Sequence, residues 1–264
     1  MRKLELTRQI PSFLVIPEGK LVDFLIVTDG RPQPLERVLQ ILDMFKADIV
    51  NGVITPIHEE RFFEGFLDVT NLKISYEELF NALSRIDGVK EVKHGEVTEN
   101  FNALTCSPLI PYAGTSRLVM FRLEHIGNFI HSLKENWGSG GEVFLYHLGM
   151  EAGKDSIKTF KKTLKIPWRK LIGYLPQLSR NLGWYTEFKL VKLNEEERKA
   201  IVRFYDLFEC KIVEGKLNRS NSQWMRGLLA GAFKELFETE VDVKEVKCIA
   251  KGDKYCEFTV TPAS

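Results

Sequence analysis

Residues 226–260 read RGLLAGAFKELFETEVDVKEVKCIAKGDKYCEFTV. Gly227, Ala230 and Gly231 fall at i, i+3 and i+4, so their small side chains share one face of a helix predicted over Ser222–Phe237. A neighbouring helix or sheet can approach the backbone closely along that face. Phe233, Leu236 and Phe237 continue the apolar side. Two strands are predicted next, Lys244–Ala250 and Tyr255–Val260, around the turn Lys251-Gly252-Asp253-Lys254. Gly252 stands where a positive φ is needed, and Cys248 and Cys256 flank the turn.

Upstream, Leu118–Leu123 reads as a strand and Glu124 opens a helix that stops at Gly138-Ser139-Gly140-Gly141. A longer helix follows from Glu142 to Leu164, and a shorter one runs from the breaker Ile166-Pro167-Trp168 toward Leu182. Gly183–Leu193 alternates apolar and polar residues as a strand does. Arg198–Val213 begins like a helix, but its β-branched residues leave a strand open.

The first hundred residues have a different rhythm. Leu21–Thr28 is an apolar, β-prone run, DGRPQP is a loop, and Leu35, Val38, Leu39, Leu42 and Phe45 recur at helical spacing after Pro34. Strands are predicted at Asp48–Thr55 and Phe62–Val69, and a helix at Ser75–Ile86 with Ser75 and Glu78 as a capping box. Asp87-Gly88 ends that helix before a last strand at Val89–His94. The order β-α-β-β-α-β defines a ferredoxin-like domain at 1–97; residues 98–116 read as a linker, and 117–264 as a second, mixed α/β domain. The fold class is α/β of the α+β kind.

Leu21–Val97 resembles an ACT domain. In that family the loop after the first strand often reads Asp-x-Pro-Gly; here Asp29 and Pro32 are present and the Gly is not. Arg226–Val260 resembles, more closely, the 4-vinyl-reductase (4VR) domain, which has archaeal members, occurs as the input domain of aromatic-sensing activators and shares its fold with TRAPP subunits. This resemblance implies a pocket for a small hydrophobic or aromatic molecule. It also implies a zinc site, because aromatic-sensing relatives hold zinc with three Cys and one Glu near this hairpin. The matching residues are Glu245, Cys248 and Cys256; the remaining Cys of the pattern falls near Ser222, a poor zinc ligand, and Cys210 is the candidate replacement if the chain folds it nearby. Glu245 and Cys248 differ by three, so a regular strand would send them to opposite faces; a bulge or the strand's end must intervene. The alternative is that the cysteines are small buried hydrophobes.

Lys plus Arg number 37 and Asp plus Glu 36, a balance that calls for neither nucleic acid nor an anionic membrane as a partner. No apolar run approaches the ~20 residues of a membrane-spanning helix. Four cysteines are too few for a disulfide framework, and the expected compartment is the cytoplasm. The basic run Lys158–Lys170 reads as a solvated helix face, and His125, His131 and His147 lack metal or catalytic spacing. With no catalytic set, the sequence predicts a ligand-sensing regulatory protein, not an enzyme, and a homodimer through edge strands and the Gly227/Gly231 face. The alternatives are a tethering subunit of TRAPP-like fold or an enzyme of a reductase pathway.

Overall fold

A computed structural model describes residues 10, 12–107, 110–113, 116–164 and 167–263. The chain divides into two compact units, 1–118 and 119–264.

In the first unit the elements run β1 (Phe13–Asp29), α1 (Pro32–Phe45), β2 (Asp48–Ile57), β3 (Glu60–Asp68), α2 (Tyr76–Ser84), β4 (Val89–His94) and β5 (Thr98–Ala103). The β-α-β-β-α-β order read from the sequence is present, and the sheet is antiparallel in the order β2-β3-β1-β4. Alternation along β1 turns Val22, Phe24 and Ile26 toward Val38 and Leu42 of α1 and Leu79 and Leu83 of α2. Leu21 faces the other way and joins Leu14 and Phe66 in a smaller cluster. The capping box forms as predicted: Ser75 Oγ accepts from Glu78 N, and Glu78 Oε2 accepts from Ser75 N at 2.9 Å.

Two readings are corrected here. Thr98–Ala103, read as the start of a linker, is β5 and pairs with β1 beyond the point where β4 ends. This is possible because β1 is 17 residues long and extends well before Leu21. After β5, Thr105 N and Cys106 N both donate to the buried Asp23 Oδ2, which fixes the chain against the sheet. A two-residue hairpin, β6 (Tyr112–Ala113) with β7 (Ser116–Arg117), follows. Leu118–Leu123, predicted as a strand, pairs with nothing among the described residues; its last residue opens a helix.

The second unit contains α3 (Leu123–Leu164), α4 (Trp168–Asn181), β8 (Glu187–Asn194), β9 (Lys199–Tyr205), α5 (Phe208–Lys211), α6 (Gln223–Phe237), β10 (Val241–Lys247) and β11 (Cys256–Pro262). The glycine-rich break predicted inside α3 is real: Gly138 has φ 51° and ψ −129°, so two helices meet there at a kink. Arg198–Val213 resolves into the strand β9 and the four-residue α5, with β-branched Ile201 and Val202 inside the strand. The four strands form an antiparallel sheet in the order β10-β11-β9-β8. Met225, Leu229 and Phe233 of α6 cover its inner face, where Val202, Phe204, Phe258 and Val260 point.

The small-residue face of α6 meets α3, which carries small residues of its own. A Cβ on Gly227 would lie 1.9 Å from Tyr146 O, and one on Gly231 2.0 Å from Met150 O. Reciprocally, a Cβ on Gly149 or Gly153 would lie 2.0 or 2.1 Å from the carbonyls of Trp224 or Leu228. The close approach expected from the sequence is therefore made within the chain. Dimerisation cannot use that face, which corrects one of the two grounds on which a homodimer was expected.

A candidate metal centre beside an apolar cavity

Cys210 of α5, Glu245 of β10, Cys248 just after β10 and Cys256 of β11 come together, with one donor atom from each lying within 4.8 Å of all the others. The three cysteines are fully buried. The bulge that the spacing demanded is there: the β10–β11 register shifts between Glu245 and Lys247, so Val246 is the extra residue. β10 then ends at Lys247, and Cys248 turns inward ahead of the tight turn Ile249–Lys251, closed by Gly252 at φ 92°. Asp253 Oδ2 accepts from Cys248 N at 2.8 Å and pins this corner.

Ser222, where the family pattern has its remaining cysteine, still sits inside the cluster. Its hydroxyl donates to Glu245 Oε1 at 2.7 Å and lies 3.0 Å from Cys210 Sγ, while its N–H donates to Glu245 Oε2 at 3.1 Å. The thiol that replaces the missing one thus arrives from α5, next to the serine, and the Cys210 and Cys248 sulfurs are 3.5 Å apart. Tetrahedral zinc with Zn–S bonds of about 2.3 Å places its sulfurs roughly 3.8 Å apart, so the donor set and spacing fit such an ion.

The electrostatics point the same way. Burial, reinforced by Cys248, pushes the Glu245 carboxyl up to about 8. Hydrogen bonds from Cys210 and Cys256 hold the Cys248 thiol far below its ordinary range. Cys210, giving its hydrogen bond to Cys248, is held far above it. Four groups that are anionic as ligands crowd one dry volume, and a cation relieves their repulsion.

Next to the cluster lies a carboxylate that the sequence did not single out. Glu209 is 1% exposed, and its two oxygens accept from Trp224 N and Met225 N, both at 2.9 Å, capping the first turn of α6. Lys134 of α3 is its cation, 3.7 Å away. Burial raises the Glu209 pKa, and Lys134 and the two N–H groups oppose that shift. The available signal was only its position beside a candidate ligand, Cys210.

The same α6 forms one wall of a cavity of about 220 Å³. Met225, Leu229 and Phe233 face it from α6, Ile157 and Phe160 from α3, Ile172 and Leu175 from α4, and Phe188, Val202 and Phe204 from the sheet. Trp184 and Tyr185 close one end. No Asp, Glu, Lys, Arg or His is among the described residues that line it. Tyr185 donates to Pro176 O at 2.7 Å, tying α4 over the cavity, and burial raises its own pKa.

Of the aromatic rings noted in the sequence, Trp184 and Tyr185 line the cavity, whereas Trp168 packs edge-on against Phe237, and Tyr205 and Tyr255 lie 5.4 Å apart with Arg203 and Lys247 over the Tyr255 ring. Within the basic run, Lys158 pairs with Glu235 and Arg169 with Glu195; Lys165 lies outside the described residues. His131 pairs with the exposed Glu135. Among the described residues, no helix is long and apolar enough to cross a membrane.

Residues 206–262 match the family model of the vinyl-4-reductase (4VR) domain, a span that holds α5, α6, the hairpin and all four cluster residues. Two uncharacterized proteins of Methanocaldococcus jannaschii are similar. MJ0150 is 28% identical over 123 residues, which are 47% of this chain and 66% of that protein, just under two thirds of its length. MJ1642 is 25% identical over 131 residues, 49% of this chain and 70% of that protein. Among solved structures, the phenol-responsive sensory domain of the transcription activator PoxR, determined with phenol, is similar at TM-score 0.49 and 15% identity, over 57% of this chain and 79% of that one. A trafficking protein particle complex subunit 3 from Naegleria fowleri, covalently bound to palmitic acid, gives 0.42 and 14%, over 54% and 93%. A vinyl-4-reductase family protein from Methanocaldococcus jannaschii gives 0.36 and 19%, over 56% and 85%.

Proposed function

We propose that the second unit is a sensor for a compact, uncharged, largely apolar molecule, that the Cys210–Glu245–Cys248–Cys256 cluster holds a structural zinc ion, and that the protein is a regulatory binding module, not an enzyme. The observation that carries this reading is the cavity of about 220 Å³ with no ionisable acid or base along its wall. Such a wall supports binding by burial and gives a charged carboxylate or amine no partner. The 4VR match over 206–262 supports the same reading. The sheet order of the first unit supports its assignment as an ACT-like regulatory module.

A ligand of phenol or indole size removes ~150–200 Å² of apolar area from water, which at about 25 cal/mol per Å² leaves micromolar-range affinity after association costs. Phenol and indole are therefore expected to raise the melting temperature saturably, and benzoate is not. Ser156→Phe, which fills the cavity from α3, is expected to abolish the shift while the protein stays folded. Equal stabilisation by benzoate, or an undiminished shift in the variant, would refute the cavity as the site.

A homodimer is supported by a different face from the one first expected. Phe129, Trp137, Val143, Phe144 and Leu148 of α3 are each at least 44% exposed, and Trp137 and Phe144 are in edge contact. An apolar stripe of this size suits a partner surface. Sedimentation equilibrium at micromolar concentration is expected to give twice the 30.4 kDa chain mass, and Trp137→Lys with Phe144→Lys to give the chain mass. A monomeric parent protein refutes the dimer.

A further inference from the structure

A second, larger concavity lies wholly within the first unit and is unrelated to the apolar cavity. It is an open cleft of about 920 Å³ at the edge where β4 gives way to β5 along β1. Two kinds of surface line it. The first is aromatic: Tyr76 and His94 meet edge to face at 5.9 Å, His94 is stacked on Phe80 at 4.2 Å, and Phe101 stands 53% exposed.

The second is a set of hydrogen-bond acceptors. His94 Nδ1 is 3.0 Å from Gly95 O, which can only accept, so Nδ1 carries the proton and Nε2 of the neutral ring is left as an acceptor. Asn102 is 4% exposed. Both hydrogens of its Nδ2 are committed, to Leu21 O at 3.0 Å and Glu96 O at 3.1 Å, while nothing among the described residues donates to its Oδ1. Thr105 gives its hydroxyl proton to Asp23 Oδ2. Glu96 adds an exposed carboxylate. Beneath Gly95 lies Asp23 Oδ1, fully buried and unpartnered, so close that a Cβ on Gly95 would meet it at 1.9 Å. No Lys or Arg is among the described lining residues.

A wall of acceptors and ring faces over buried negative charge selects a ligand that brings donors and positive charge. We propose that this cleft binds a small protonated amine, its ammonium directed at Glu96 and Asn102 Oδ1 and its carbon chain laid against Tyr76 and Phe101. With no cation to receive it, a carboxylate is excluded, so a simple amine is preferred to an amino acid. The electrostatics are consistent: a hydrogen bond to Glu77, with the charges of Glu77 and Glu96, holds the Tyr76 hydroxyl above its ordinary pKa.

The test is a titration of the ¹⁵N-labelled full-length protein with n-butylammonium chloride, sodium butyrate and Nα-acetyl-lysine methylamide, read by amide chemical shifts. Saturable shifts confined to residues 94–105 are expected with butylammonium and none with butyrate. The lysine amide carries the same ammonium: tighter binding than butylammonium assigns the cleft to a protein-borne lysine, weaker binding to a free amine. Glu96→Gln and Phe101→Ala are surface changes and should each weaken butylammonium about threefold to fivefold, with the remaining amide spectrum unchanged. Absence of saturable shifts, equal binding of butyrate, or unaltered affinity in both variants overturns the proposal.

Discussion

Cys248→Ser is expected to remove zinc from the isolated protein and to lower its melting temperature by on the order of 10 °C or more, because the free energy of a structural metal is folding free energy. Elemental analysis of the parent should give one zinc per chain, falling toward zero in the variant, with Cys210→Ser behaving alike. Stability against pH supplies an independent readout with a definite sign. In the metal-free protein Glu245 has its pKa raised in the fold to about 8, above the ordinary carboxyl value near 4.5. A raised folded-state pKa contributes stability that is complete below the unfolded pKa and is lost as pH rises through the folded one. Chelated protein should therefore lose stability between about pH 4.5 and 8, and zinc-loaded protein should not, since the ion takes the carboxylate form. A parent protein without zinc, whose stability is unchanged by chelator throughout that window, rules the metal out.

The second large effect is at the α3–α6 crossing. Alanine is favoured over glycine inside a helix by about 1 kcal/mol, so propensity alone predicts that Gly231→Ala stabilises. The geometry reverses the sign. The new methyl would meet Met150 O at 2.0 Å, and backbone cannot swing aside as a flexible side chain can. The helices must separate, and the expected loss is about 3 kcal/mol or more. Gly173→Ala in α4 is the matched control: nothing lies within 4 Å of its Cβ, so it should stabilise by about 0.5–1 kcal/mol. Urea denaturation of the two variants should move the midpoint in opposite directions. Equal shifts would show that the close approach is not what fixes these glycines.

Legibility in the sequence followed the range of the interaction. Local signals read well: the Ser75–Glu78 box, the break at Gly138 and the positive φ of Gly252 all depend on residues a few positions apart. The Glu245–Cys248 spacing even indicated a bulge before any strand was seen, because period two and a shared face are incompatible without one. What depended on distant chain was harder. Thr98–Ala103 carries no strand pattern of its own; it is a strand because β1 runs on beyond β4 and offers unpaired backbone. Cys210 could be named but not placed, since only the return of β9 through α5 brings it to the hairpin. Glu209 was invisible because a buried carboxylate looks, in sequence, like any other in a mixed run, and its partners Lys134, Trp224 and Met225 are remote. The stripe Gly227/Gly231 correctly announced a close approach, but nothing in it distinguished α3 of the same chain from a second copy.

α5 is one turn long, far below the length at which a helix holds itself in water. Two consecutive residues on it nonetheless face separate tasks, Glu209 toward the start of α6 and Cys210 toward the hairpin. Neither task can be completed until segments far apart in the chain have met, and such non-local meetings are slow because loop closure precedes any reward. An ion caught first by the hairpin residues Glu245, Cys248 and Cys256 would offer Cys210 a strong, directional target during that search. On that account the metal governs the order of assembly: the hairpin captures it, the captured ion recruits α5, and α5 delivers the carboxylate that lets α6 begin.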